Sequence, residues 1–108
     1  MKKTQIPGGI VISIQAVDMT LHEAHQQKIF RMLEKFKQLF PKITSADFFM
    51  QQSAKQATAP RAIKVRLGIP GPDVFASGSG RHWKALMGAV QKKIIQQLKK
   101  RKVELGDE

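Results

Sequence analysis

Between Arg81 and Lys102 the chain carries Arg81, Lys84, Lys92, Lys93, Lys99, Lys100, Arg101 and Lys102 and no acidic residue, while its apolar residues recur at helical spacing. At about 100° per residue, Trp83, Leu86, Met87, Val90, Ile94 and Leu98 fall within roughly a third of the wheel, with Arg81, Lys84, Lys92 and Lys99 nearly opposite. A helix serving only to pack would normally mix charge signs on its wet side, because opposite charges at i,i+3 or i,i+4 help by about 0.2–0.5 kcal/mol per pair and like charges repel. The pattern therefore predicts a helix that buries one stripe and offers the rest to a negative partner. A solvated face that happens to be basic is the alternative.

The rest of the chain shares this bias. Its 108 residues carry a formal charge of +11 and are 42% hydrophobic, which suits a single domain, with residues 1–8 and 103–108 expected to be flexible ends. Such an excess of one sign repels itself on compaction, so its presence points to use against nucleic acid first, an anionic membrane second and an acidic protein third. No apolar run approaches the roughly 20 residues of a membrane span, and Gln15 and Asp18 interrupt the only short apolar stretch near the start. A soluble, cytoplasmic protein is expected. Without cysteine there is no thiolate chemistry, disulfide or Cys-based zinc site. His22 and His25, spaced i,i+3, read as a helix-surface pair rather than metal ligands.

The hydrophobic period changes along the chain in a definite order. Ile10 to Ala16 reads as a strand after the breaker Pro7-Gly8-Gly9. From Asp18 the period becomes helical, with Leu21, Ile29, Met32, Leu33, Phe36, Leu39 and Phe40 in one stripe that stops at Pro41, and Asp18 or Thr20 as the capping residue. On its flank, Lys28, Arg31 and Lys35 align at i, i+3 and i+7. Ile43 to Gln52 predicts a second strand with Ala46, Phe48 and Met50 on one face, and residues 52–60 a mobile loop. Arg61 to Ile69 alternates as a third strand. Pro70-Gly71-Pro72-Asp73 predicts a turn into Val74 to Ser77, and Gly78-Ser79-Gly80 a break before the last helix, with Ser79 as its cap.

The order β-α-β-β-β-α is that of an α+β fold. Its β-α-β start implies a right-handed crossover between parallel strands, so two helices cover one face of a four-stranded mixed sheet. Side by side, the helices bring Lys28, Arg31 and Lys35 toward Lys84, Lys92, Lys93 and Lys99, a positive surface of RNA dimensions.

No catalytic constellation appears among the acids and histidines, so neither an enzyme nor a bound small-molecule substrate, metal or cofactor is expected. Gly78-Ser79-Gly80-Arg81 resembles a phosphate-binding helix start, but the full Gly-x-x-x-x-Gly-Lys-Ser/Thr loop is absent and an ordinary strand-to-helix turn is the better reading. Strand motifs that stack single-stranded bases are also missing, although Phe30 and Phe49 fall on outward positions where either could meet a base or a partner. What remains is phosphate recognition on RNA shape.

Several segments resemble the bacterial hibernation-promoting factor and ribosome-associated inhibitor family. They are Val17-Asp18-Met19-Thr20-Leu21, Lys28-Ile29-Phe30-Arg31-Met32, and Val65-Arg66-Leu67-Gly68-Ile69-Pro70-Gly71 leading to Phe75-Ala76-Ser77-Gly78. The family's last helix commonly begins Asp-Met-Tyr-Ala-Ala-Ile-Asp. Here the corresponding stretch is His82-Trp83-Lys84-Ala85-Leu86-Met87-Gly88, followed by Lys93-Ile94 and Gln97-Leu98-Lys99. The resemblance spans about residues 9 to 102 and implies a factor that binds the small ribosomal subunit, its rRNA and nearby ribosomal proteins, over the mRNA and tRNA sites. It implies binding roles for Lys28, Arg31, Lys93 and Lys99. Lys35, Arg81, Lys84 and Lys92 join them on the helical wheel alone. The length suggests the short form, without the C-terminal dimerisation domain of long members, and a monomer off the ribosome. His82 and Lys84 replace the usual Asp and Tyr, forfeiting a dipole contribution of about 0.3–1 kcal/mol while adding positive charge. A regulatory module for an acidic protein, as the label of sigma-factor modulator would have it, and a generic double-stranded RNA binder are the competing readings.

Overall fold

Alternation decides which face of each strand is buried. In β2 (Val11–Val17) the buried side chains are Ile12 and Ile14, and in β3 (Ser45–Gln52) they are Ala46, Phe48 and Met50. In β4 (Arg61–Gly68) they are Ile63, Val65 and Leu67, and in β5 (Val74–Gly80) Val74 and Ala76. The structure is a computed structural model that describes residues 2–5, 10–53 and 58–104. β2 and β3 run parallel, in register from Val11↔Ser45 to Val17↔Gln51, so the chain must cross over between them and does so through α1 (Glu23–Leu39). β3, β4 and β5 follow as antiparallel neighbours.

The β-α-β-β-β-α order, the mixed sheet and the two helices are as the sequence predicts. A further strand, β1 (Lys2–Gln5), pairs antiparallel with β2 and extends the sheet to the order β1-β2-β3-β4-β5. Residues 2–5, expected within a flexible end, are thus ordered by pairing with an edge that would otherwise expose its N–H and C=O groups. At the other end, α2 (Trp83–Glu104) continues through residues 103 and 104. The remaining residues of the expected flexible ends lie outside the described residues, as do 54–57 of the predicted loop, whose base is closed by a Ser53 N–H donating to the Pro60 carbonyl at 2.7 Å.

Two boundaries differ from the sequence reading. α1 starts at Glu23 with His22 in the capping position and no side-chain cap, rather than at Asp18 or Thr20. Asp18 instead takes φ 57°, the left-handed conformation that its short polar side chain tolerates, to turn the chain out of β2. Nor does Gly78-Ser79-Gly80 break the sheet. All three residues pair with β4, as Ile63↔Gly78, Ala62↔Ser79 and Arg61↔Gly80, so Ser79 caps no helix. A Cβ at Gly80 would lie 3.3 Å from Leu86 Cδ2, and one at Gly78 3.4 Å from Val90 Cγ2. These glycines let α2 approach the strand closely.

α2 also covers the outer edge of β5. The Gln97 amide accepts from the Phe75 N–H at 3.3 Å and donates to its carbonyl at 2.7 Å, and Lys93 Nζ donates to the Ser77 carbonyl at 3.1 Å. Farther along, Arg101 Nη1 donates to the carbonyls of Pro70 and Pro72 at 3.0 and 2.8 Å, clamping the turn in which Gly71 takes φ 85°. The core between helices and sheet holds Ile29, Met32, Leu33 and Phe36 from α1 and Leu86, Met87, Val90, Ile94 and Leu98 from α2.

Phe48 sits between Ile14 and Val65 in the register and is 1% exposed. Phe48→Ala is expected to cost about 3–5 kcal/mol, through lost burial and the cavity left behind, read as a lower urea midpoint at unchanged slope.

Candidate nucleic-acid interface

Where α1 and α2 lie side by side, their facing flanks form a groove of about 260 Å³. α1 contributes Lys28, Arg31, Met32 and Lys35, and α2 contributes Lys84, Met87, Gly88 and Gln91. Each set is spaced i, i+3, i+4, i+7, one face of a helix. Met32 and Met87 are buried and make an apolar floor, and the four cations stand along the walls. No acid among the described residues lines the groove, because Glu23 and Glu34 fall roughly 120° or more round α1 from Lys28. Soft, unbranched methionines can adapt to a sugar or base edge while the cations hold phosphates.

The predicted binding residues do not all converge here. Lys28, Arg31, Lys35 and Lys84 meet in the groove. Lys92 and Lys99 are exposed on α2 some 60–80° round from Lys84, on the solvent side of the groove wall. Arg81 is exposed just before α2, and its carbonyl accepts a hydrogen bond from the Arg61 guanidinium. Lys93 points about half a turn away from Lys84, to the β5 edge, where it holds Ser77. The two departures from the family pattern separate as well: Lys84 enters the groove, while the His82 carbonyl accepts the Leu86 N–H that opens α2. Because Gly78 to Gly80 belong to β5, this stretch is neither the strand-to-helix turn that the sequence suggests nor a glycine-rich helix start.

The sequence reading missed Met32, Met87, Gly88 and Gln91 as groove residues. Their shared spacing with the cations was a usable signal, but only the packing of α1 on α2 makes two faces into one groove. Phe30 is partly buried against the core instead of offered to a base, whereas Phe49, also partly buried, lies on the other face of the sheet with Lys64 Nζ 5.5 Å from its ring centroid.

At the start of both helices His25 lies against Trp83 and His22, with ring centroids 6.1 and 5.6 Å away. Its Nδ1 is shut off from solvent and has no hydrogen-bond partner among the described residues. Burial lowers the His25 pKa below the usual 6.5, and the positive fields of His22 and Lys28 act in the same direction.

A sequence model of one family, described as sigma 54 modulation protein / S30EA ribosomal protein, matches residues 12–105. This chain belongs to that family. The match covers both helices, β3 to β5 and all but the first residue of β2, hence the entire groove. Among solved structures, a ribosomal subunit interface protein from Coxiella burnetii is similar in fold, with TM-score 0.74 at 13% identity over 85% of this chain and 97% of that one. The N-terminal domain of Protein Y from Thermus thermophilus is similar too, with TM-score 0.69 at 12% identity over 82% of this chain and 96% of the other. No curated protein sequence matches the chain closely.

Two outcomes are expected. Gly88 sits inside α2 with nothing within 4 Å of where a Cβ would stand. Gly88→Ala should therefore stabilise the fold by about 0.8–1 kcal/mol, seen as a raised thermal midpoint. For His25 the unfolded chain binds more protons than the folded one between the lowered and the ordinary pKa. Its contribution to stability is thus complete above about pH 6.5 and lost as pH falls through the lowered folded value. Thermal melts at about pH 7.5 and about pH 5.5 should show a smaller loss in His25→Asn than in the parent chain. Parallel losses would mean another group is responsible.

Proposed function

We propose that this chain is a cytoplasmic ribosome-associated translation inhibitor, which seats the α1–α2 groove on rRNA of the small subunit and silences it by occupying space that mRNA and tRNA need. The observation that carries this reading is the convergence of Lys28, Arg31, Lys35 and Lys84 on one groove that no described acid lines. Membership in a family whose description includes a ribosomal protein, and a fold shared with a ribosomal subunit interface protein, support the choice of partner.

The mechanism needs no covalent step. The ammonium groups and guanidinium of the groove replace counterions condensed on the RNA backbone, and the released ions favour binding. Lys92, Lys99 and Arg81 extend the positive field beyond the groove to a longer stretch of RNA. Specificity comes from shape, since two helices at a set separation match only certain spacings of phosphates. Inhibition then follows from occupancy of the site and ends on dissociation.

Four groove contacts imply a salt dependence with a log–log slope of roughly 3, at about 0.7–0.9 for each phosphate neutralised. The chain should co-sediment with small subunits and whole ribosomes in low salt, leave them in high salt, and inhibit cell-free translation. Reversal of groove charge in a Lys28→Glu, Arg31→Glu, Lys84→Glu triple variant should abolish both activities with the thermal midpoint largely kept, because all three side chains are exposed. Lys93→Glu, on the far flank, should leave most of the binding. Failure to sediment with ribosomes even at low salt would sink the proposal.

A further inference from the structure

Both helices lie on one face of the sheet, and no described element covers the other. That uncovered face carries a plaque of four side chains across three strands. Phe49 of β3 pairs with Lys64 of β4, and two residues along, Arg66 of β4 pairs with Phe75 of β5. Phe75 is 46% exposed, on a strand position where its neighbours of the same face are serines. A shallow cleft of about 220 Å³ runs over this plaque, with Ser13, Gln15, Asp47 and Phe48 completing its lining.

We propose that this face is a second nucleic-acid surface, a platform for single-stranded RNA on which Phe75 and Phe49 stack unpaired bases. Stacking on aromatic rings tolerates any base, because every base has a π-face. Strand geometry puts the two phenylalanines roughly 12 Å apart at their Cα atoms, from about 4.8 Å between strands and about 3.3 Å per residue along them. Lys64 and Arg66 occupy the row between them and meet the linking phosphates. Lys64 already lies over the Phe49 ring at 5.5 Å, a cation–π arrangement that a base on the ring would share. Asp47 pairs with Arg66 across the strands, and Asp73 lies 3.9 Å from its guanidinium. These acids offset the local positive charge and can accept from a base amino group, so stacking and not charge dominates here.

The placement of Phe75 also argues for a presented ring. Gln97 holds both the N–H and the carbonyl of Phe75, so the ring projects from a rigid strand and loses little freedom on binding. The same contact caps the β5 edge, which blocks edge-to-edge pairing with a second copy of the chain.

The test is fluorescence anisotropy with a labelled, unstructured single-stranded RNA of about ten nucleotides. It uses the parent chain, Phe75→Ala, Phe75→Tyr and the groove triple variant. Phe75→Ala should weaken binding about tenfold or more, while Phe75→Tyr, which keeps the aromatic face, should retain it. In the groove triple variant the oligonucleotide should still bind, with a salt slope of about 1–2 that reflects only Lys64 and Arg66. Ribosome sedimentation of Phe75→Ala should be unaffected, so this surface and the groove stand or fall separately. Equal affinity in parent chain and Phe75→Ala, or loss of all oligonucleotide binding in the groove variant, would overturn the proposal. So would a concentration-dependent dimer that Phe75→Ala abolishes while RNA affinity stays unchanged, which would assign the face to self-association.

Discussion

The seat of α2 on β5 is the contact on which the rest of the molecule depends. Gly78 and Gly80 remove the side chains that would hold the helix away, and Leu86 and Val90 occupy the space so released. With the helix that close, Gln97 and Lys93 reach the open edge of β5 and Arg101 reaches the turn before it. An edge strand that would invite pairing with another chain is thereby closed from within. The other flank of the same helix is left to face α1, and the separation of those two helices defines the groove.

That arrangement divides the basic residues of α2 into two kinds of work. Lys93 and Arg101 are bound to main-chain carbonyls and hold the fold, whereas Lys84, Lys92 and Lys99 are exposed and available to a partner. Net charge alone cannot make this distinction, since a lysine counts the same whether its ammonium satisfies a carbonyl or a phosphate. Part of the charge of +11 thus serves the fold itself. Their concentration on one flank matters more than their number, because the acids of α1 are turned away from the groove.

The two faces of the molecule differ in physical character. The helical face offers cations around an apolar methionine floor, suited to a charged backbone of regular shape. The open sheet face offers aromatic rings among balanced charges, suited to bases freed from stacking. Binding at the first should respond strongly to salt and at the second weakly, which follows from where the acids fall.

Periodicity alone was enough to read the strand and helix order, the parallel start, the buried stripes and the alignment of Lys28, Arg31 and Lys35, because each depends only on spacing along the chain. The helix starts were less legible: Asp18 and Thr20 look like caps, yet Asp18 is used for a left-handed turn and the helix begins at Glu23. Gly78 to Gly80 read as a break for a similar reason, since a glycine that permits close approach is spelled like one that ends a strand. Lys2 to Gln5 carry no alternating pattern and become a strand only by pairing with β2. The sequence by itself determined most of the buried stripes and that the helices carry an excess of positive charge. Only the tertiary structure decided that Lys84 joins Lys28, Arg31 and Lys35 while Lys93 turns to β5, because helix-to-helix placement depends on contacts far apart in the chain, which no local pattern records.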